Sequence, residues 1–116
     1  MGVEYSQSRP WGSWYVLEEG PGYKVKRIVV LPGKRLSLQS HRYREEHWTV
    51  VRGQALVQID ERQFMLSPGE RGIVPLGARH RLTNPGTDEL WVVEVQCGSS
   101  TAEEDIVRYE DDFGRL

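Results

Sequence analysis

The stretch from Leu36 to Gly53, LSLQSHRYREEHWTVVRG, gathers many of the side chains in this chain that could do chemistry. It contains Gln39, His41, Glu46 and His47, together with three arginines. Imidazole nitrogen and carboxylate oxygen suit a divalent metal such as Mn, Fe, Co or Zn. The arginines suit an anion. His47 directly follows Glu46, so on a strand it points to the opposite face, and we do not expect it to be a ligand.

Two sets of residues in and after this stretch have fixed spacings. The first set is Gly33, Gln39, His41, Glu46 and Gly53. The second set is Gly69, Pro75, Gly77, His80 and Asn84. These spacings resemble the two motifs of the cupin superfamily, G-x5-H-x-H-x3,4-E-x6-G and G-x5-P-x-G-x2-H-x3-N. The second motif matches at every fixed position, and the first departs from the pattern only where Gln39 replaces a histidine.

The cupin resemblance implies a double-stranded β-helix, a jelly roll of two antiparallel sheets with a metal inside one mouth. It implies one divalent metal ion (Mn, Co, Zn, Fe or Mg) held by Gln39, His41, Glu46 and His80. A neutral amide is a weak ligand, so Gln39 could instead hydrogen-bond the substrate or water.

A closer resemblance covers nearly the whole chain. RPWG at residues 9–12 and VKRIVVLPGKRLSLQSHRYREEHWTVV at residues 25–51 are similar to the cupin domain of type II phosphomannose isomerases. That domain is usually the C-terminal part of a bifunctional enzyme with mannose-1-phosphate guanylyltransferase; here it would stand alone. The resemblance implies interconversion of mannose 6-phosphate and fructose 6-phosphate. No G-x-G-x-x-G or P-loop occurs in the sequence, so guanylyltransferase activity is not expected of this chain.

Isomerisation of a phosphorylated sugar also needs cations for the phosphate. Arg35 shares a strand face with Gln39 and His41, so we expect it to look into the same cavity. Lys24 and Lys26 share a face of YKVKRIVV and are predicted to line the neighbouring wall. By resemblance to the family pattern R-x-E-H-W, Arg44 is expected to be catalytic or to bind substrate, and Arg79 is a weaker candidate.

The proton-transfer base is the role that the sequence leaves most open. Glu94 and Gln96 share one face of the apolar run LWVVEVQ, where an unpaired charge is expensive to bury. We expect Glu94 to act as the base, with its pKa raised by burial, and Gln96 to contact substrate. The alternative is that Glu94 forms an ion pair with Lys26 or Arg35 inside the barrel. A metal-bound hydroxide or Glu46 itself could also move the proton.

The elements that must position these residues are short strands. The 116 residues fit one domain with a core at about residues 24–97, and apolar residues make up 38%. Six short runs rich in Val, Ile, Trp and Tyr alternate with Gly/Pro turns and show almost no helical periodicity, which predicts an all-β sandwich or small barrel. The tryptophans are expected to pack in the core or at a dimer contact, and Trp48 could wall the pocket. The acidic segment TAEEDIVRYEDDFGRL is predicted to form a short helix or an ordered tail outside the barrel.

The composition of the chain limits the binding partners and the cellular location that we expect. The net charge of −2 gives no reason to expect nucleic acid, and no stretch approaches the roughly 20 apolar residues that span a bilayer. The single cysteine and the absence of an apolar signal core favour the cytoplasm. Pairing of strand edges makes a homodimer a reasonable expectation. Two other functions stay open. One is a sugar-phosphate or sugar-nucleotide binding cupin without turnover that partners a separate guanylyltransferase. The other is a metal oxygenase, which the cationic lining disfavours.

Overall fold

A computed structural model describes residues 2–115 of the chain and contains eleven β-strands. The strands are β1 (Tyr5–Arg9), β2 (Gly12–Gly20), β3 (Tyr23–Val30), β4 (Leu38–Ser40), β5 (Arg44–Arg52), β6 (Ala55–Ile59), β7 (Arg62–Leu66), β8 (Arg71–Val74), β9 (His80–Thr83), β10 (Leu90–Gly98) and β11 (Val107–Glu110). Within these residues there is no helix that is long and apolar enough to cross a membrane.

The strands form two sheets in which all neighbours are antiparallel. The larger sheet has the order β1-β2-β3-β10-β5-β8, and the smaller has the order β11-β4-β9-β6-β7. Consecutive strands often lie in different sheets or apart in one sheet, as in a jelly roll. The all-β prediction is therefore confirmed, and the six apolar runs correspond to β2, β3, β5, β6, β8 and β10.

The C-terminal segment is not helical, so that part of the prediction was wrong. Val107–Glu110 forms β11, which pairs with β4 and places Arg108 directly opposite Gln39. The edge of β4 offers free backbone groups that β11 satisfies by hydrogen bonding. The segment therefore belongs to the smaller sheet and reaches the predicted metal-binding strand.

The inner face of the larger sheet changes character along its length. Apolar side chains such as Val30, Val50 and Val92 fill one end, where the core lies. Polar side chains continue the same inward-facing rows at the other end; they are Lys24, Lys26, Arg44, Glu46, Glu94 and Gln96, and all are buried. Because buried polar groups cost free energy unless they are paired, this end of the sandwich is where function is expected.

Candidate functional site

A cavity opens between the two sheets at the polar end. The space between its lining atoms, open solvent included, is about 740 Å³. Three strands and one connecting segment bring the predicted ligands to it: Gln39 lies on β4, His41 directly follows β4, Glu46 lies on β5 and His80 begins β9.

His41, Glu46 and His80 form a compact buried cluster. One ligand atom from each residue lies within 4.8 Å of the others. Nε2 of His41 is 3.2 Å from Glu46 Oε2, and Nε2 of His80 is 3.5 Å from Glu46 Oε1. Two imidazole nitrogens and a carboxylate at this spacing fit a divalent transition-metal ion.

Both imidazole rings are oriented by backbone carbonyls. Nδ1 of His41 donates to the carbonyl of Asp105 at 2.7 Å, and Nδ1 of His80 donates to the carbonyl of Ala78 at 3.0 Å. A proton on Nδ1 leaves the lone pair on Nε2, which faces the cluster. Gly77, with φ of 77°, donates its backbone N–H to the carbonyl of His41 and so joins the two motifs.

The charges of Glu46 and His41 match those of a metal-binding site, whereas for His80 burial lowers the pKa but Glu46 raises it, with a net rise. Burial opposes ionisation of Glu46, but His80, His41 and Arg44 hold the pKa of its carboxyl well below its usual value. Burial, with Arg44 and His80, lowers the pKa of His41 to about 4, against the opposing effect of Glu46. Near neutral pH, Glu46 is therefore an anion and His41 is neutral, as metal ligation requires.

Arg44 is buried beside the cluster. Its Nε donates to Glu46 Oε2 at 3.0 Å, its Nη1 donates to the carbonyl of Ala102 at 2.9 Å, and its Nη2 is 3.3 Å from His41 Nε2. These contacts fix the guanidinium against the carboxylate and on the wall of the cavity.

Glu94 also faces the cavity, and it is buried without an ion pair among residues 2–115. Trp48 Nε1 donates to Glu94 Oε2 at 2.9 Å, and Gln96 Nε2 donates to Glu94 Oε1 at 2.6 Å. Burial, with the nearby charge of Glu46, raises the pKa of Glu94 to about 7, although Lys26 and Arg44 oppose the shift. The alternative pairing of Glu94 with Lys26 or Arg35 is not formed.

Gln39 and Gln96 both line the cavity, and each leaves an oxygen available. Gln39 Nε2 donates to the carbonyl and the hydroxyl of Ser37, and Gln39 lies opposite His80 in the β4–β9 register. Gln96 Oε1 is buried and accepts no hydrogen bond from residues 2–115. An orphaned acceptor that lines a cavity indicates a ligand hydroxyl or ordered water.

The predicted phosphate-binding cations are already engaged by carboxylates. Lys24 and Lys26 share Glu103, at 2.9 Å and 2.7 Å, and only Lys26 lines the cavity. Arg35 forms a two-point ion pair with Asp112 and lies half exposed outside the cavity. Alternation suggested otherwise because it assumed that the strand extends back to residue 35, whereas β4 begins at Leu38.

Two other sequence candidates lie outside the cavity lining. His47 points to the outer face and lies 3.2 Å from Glu45, as expected from its place after Glu46. Arg79 stacks over the ring of Tyr109. Sequence reasoning missed the lining arginines Arg9, Arg81, Arg108 and Arg115, three of which come from the first strand and the C-terminal segment, outside the two motifs.

Comparison with known proteins agrees with the sequence resemblance. Residues 3–111 match the family described as Mannose-6-phosphate isomerase C-terminal. The chain belongs to this family. The sequence resemblance to the cupin domain of these isomerases is thereby confirmed.

Curated relatives of this chain include much longer proteins. The chain is 48% identical over 107 residues to alginate biosynthesis protein AlgA of Pseudomonas aeruginosa, covering 92% of this chain and 22% of that protein. It is 49% identical over 107 residues to xanthan biosynthesis protein XanB of Xanthomonas campestris, covering 92% and 23%. It is 47% identical over 108 residues to mannose-1-phosphate guanylyltransferase ManC of Salmonella typhimurium, covering 93% and 22%. The chain thus spans less than a quarter of the length of these relatives.

Solved structures share the fold at low sequence identity. The capsular polysaccharide assembling protein CapF from Staphylococcus aureus superposes with a TM-score of 0.82 at 17% identity, over 91% of this chain and 32% of that one. A Klebsiella pneumoniae protein with a double-stranded β-helix domain gives a TM-score of 0.73 at 21% identity, over 84% and 83%. These neighbours confirm the predicted double-stranded β-helix.

Proposed function

We propose that this chain is a metal-dependent aldose–ketose isomerase that interconverts mannose 6-phosphate and fructose 6-phosphate. The observation that carries the proposal is one cavity that combines a His41–Glu46–His80 cluster with a buried carboxyl at Glu94. Membership of a family described by mannose-6-phosphate isomerase supports the choice of substrate.

His41, Glu46 and His80 would hold one divalent metal ion, with Gln39 as a fourth ligand through its amide oxygen. The bound ion would supply a Lewis acid that polarises the sugar carbonyl. The donor set suits Mn, Fe, Co or Zn better than Mg, because imidazole nitrogen is a poor ligand for Mg.

Glu94 would act as the base. Its carboxylate would take the proton from C2 of mannose 6-phosphate and return it to C1, while a proton moves from the hydroxyl O2 to O1. A carboxyl whose pKa is raised to about 7 is ionised in a sizeable fraction at neutral pH and still binds a proton well enough to carry it. Gln96 would accept a hydrogen bond from a sugar hydroxyl through its free Oε1.

Arg44 would stabilise negative charge that develops on the substrate oxygens, since its guanidinium is held at the cavity wall by Glu46 and Ala102. On substrate binding, some N–H groups of the Arg44 guanidinium would donate to the sugar.

A coupled assay tests this function. Metal-loaded protein would be given mannose 6-phosphate and the formation of fructose 6-phosphate followed, for wild type, His41→Ala and Arg44→Ala. His47→Ala is the matched control, because it removes a histidine next to Glu46 from the opposite face.

We expect turnover in wild type and His47→Ala and a large loss in the other two variants. Folded, metal-loaded wild type without turnover in Mn, Co, Zn or Fe would reject the isomerase. Retained binding of the sugar phosphate in that case would favour the binding-only cupin.

We also propose a homodimer. Ile73 on the edge strand β8 and Val51 on β5 expose more than half of their surfaces, and an apolar sheet edge is commonly covered by a second copy. Sedimentation equilibrium at micromolar concentration would show twice the mass of the 116-residue chain, whereas a single-chain mass would reject the dimer.

A further inference from the structure

Six cationic side chains line the cavity, and their ion pairs divide them into two groups. Lys26, Arg44, Arg81 and Arg115 each contact a carboxylate: Glu103, Glu46, Glu110 and Asp111 respectively. Within residues 2–115, Arg9 and Arg108 have no such partner. The positive charge available to an incoming anion is therefore concentrated at these two arginines.

Arg108 is built into the cavity wall. It lies on β11 directly opposite Gln39, so the strand that carries a predicted metal ligand also fixes its position. Its Nε is buried and donates to no acceptor within residues 2–115. A buried donor without an acceptor costs free energy that a bound oxyanion would recover.

Arg9 approaches from the opposite sheet. It ends β1 and immediately precedes the turn to Trp11, whose indole also lines the cavity. Its guanidinium donates to the neutral amide of Gln7, and within residues 2–115 it forms no ion pair with a carboxylate.

Both arginines line the same cavity, so their positive charges act on one another. Burial lowers the pKa of Arg108, and the positive charges of Arg115 and Arg9 lower it further, whereas Asp111 acts in the other direction. Cations held together at a cavity wall with too few carboxylates form an electrostatic site for a multiply charged anion.

We infer that Arg108 and Arg9 bind the phosphate group of the substrate. This inference rests on the proposed function for the identity of the sugar phosphate. It replaces the sequence prediction that Lys24, Lys26 and Arg35 bind the phosphate, because Glu103 and Asp112 form ion pairs with those residues. A guanidinium fork matches phosphate oxygens in geometry as well as charge.

The experiment compares wild type with Arg108→Gln and Arg9→Gln, and uses Arg62→Gln as the control. Arg62 is an exposed arginine on β7 outside the cavity, so its substitution makes the same change of charge. Calorimetry measures binding of inorganic phosphate and of mannose 6-phosphate, and steady-state kinetics separate KM from kcat. If Arg108→Gln does not fold, Arg9→Gln alone tests whether the phosphate binds at this site.

We expect each cavity variant to weaken binding of both probes by about ten- to a hundredfold, which is the range for a lost charge-assisted hydrogen bond. The KM for mannose 6-phosphate should rise in parallel, with kcat changed much less, because the contact exists in both the ground state and the transition state. Arg62→Gln should match wild type.

The outcomes separate the two proposals. Turnover with unchanged KM and unchanged phosphate affinity in both cavity variants would overturn the phosphate site and leave the isomerase intact. Phosphate binding that is lost in the variants, in a wild type without turnover, would support the site and reject the isomerase. A wild type that binds neither probe would overturn the site.

Discussion

The carboxylate of Glu46 contacts the side chains of His41, Arg44 and His80, although Glu46 is almost completely buried. A buried carboxylate with these neighbours stays ionised because their interactions together exceed the cost of desolvation. Glu94 lies on the same cavity without a cation at hydrogen-bonding distance, and its pKa moves the opposite way. Two carboxyl groups in one cavity with opposite pKa shifts indicate different roles, one for ligation and one for proton transfer.

Glu94→Gln tests the proton-transfer role at the scale of one residue. The amide keeps the size and can still accept from Trp48, so the fold should be retained. It cannot take a proton from carbon, so kcat should fall by about a hundredfold or more while KM changes little. Kinetics on metal-loaded protein would measure this, with exposed Glu61→Gln as the control. A kcat near that of wild type would assign the base elsewhere.

At the scale of elements, the close approach of β10 and β5 positions Arg44. Gly98 lies opposite Arg44 in their register. A Cβ at Gly98 would lie 2.6 Å from Arg44 Cα and closer still to the carbonyl oxygen of Tyr43. Backbone atoms cannot move away as a flexible side chain can, so only glycine fits here.

Gly98→Ala should therefore displace the start of β5. We expect the free energy of unfolding to fall by about 1–3 kcal/mol, as for an overpacked core. The isomerisation rate should also fall, because Arg44 would be displaced. Gly72→Ala on β8 is the control, because its nearest new contacts are side chains at 3.5 Å. Denaturant unfolding would show the difference, and equal stability of the two variants would contradict this account.

The C-terminal segment acts as a second support for the cluster. The carboxylate of Asp105 accepts the backbone N–H groups of Arg42 and Tyr43 at 2.9 Å and 3.0 Å, while its carbonyl accepts His41 Nδ1. One residue thereby fixes both the ring of His41 and the chain that follows it.

Asp105→Ala should loosen this connection. We expect metal affinity to fall by about tenfold, because loss of a group that supports a metal ligand typically weakens metal binding by at least that much. The free energy of unfolding should fall by about 1–2 kcal/mol. Metal titration and thermal unfolding would test both, against exposed Glu104→Ala. Metal affinity that matches the control would show that the carboxylate of Asp105 does not help to position His41.

The difference between prediction and structure arises mostly at this element. Fixed spacing predicted one shared site for His41, Glu46 and His80, and the three side chains do cluster in the structure. Charge pairing was not predictable from spacing, since Glu103 and Asp112 each meet cations 77 residues away. The acid-rich composition suggested a tail, but long-range pairing with β4 makes the segment a strand.

Across the whole molecule, the sandwich divides into an apolar half that supplies stability and a polar half that holds the site. The polar half keeps its buried charges by pairing residues that are distant in sequence. Glu103 is the clearest case, because its carboxylate contacts the buried ammonium groups of Lys24 and Lys26 and so attaches the C-terminal segment to β3. Loss of such a partner leaves uncompensated charge in the interior.

Glu103→Gln should therefore lower the thermal unfolding midpoint at pH 7, relative to wild type and to Glu104→Gln. Burial opposes ionisation of Glu103, but Lys26 and Lys24 lower its pKa below the ordinary value of 4.5. The stability from this carboxylate is fully present above about pH 4.5 and is lost as the pH falls through the lower pKa of the folded state. The gap between wild type and Glu103→Gln should thus close as the pH falls below about 4.5. A gap that stays constant or widens on acidification would show that the lysines do not hold Glu103 ionised.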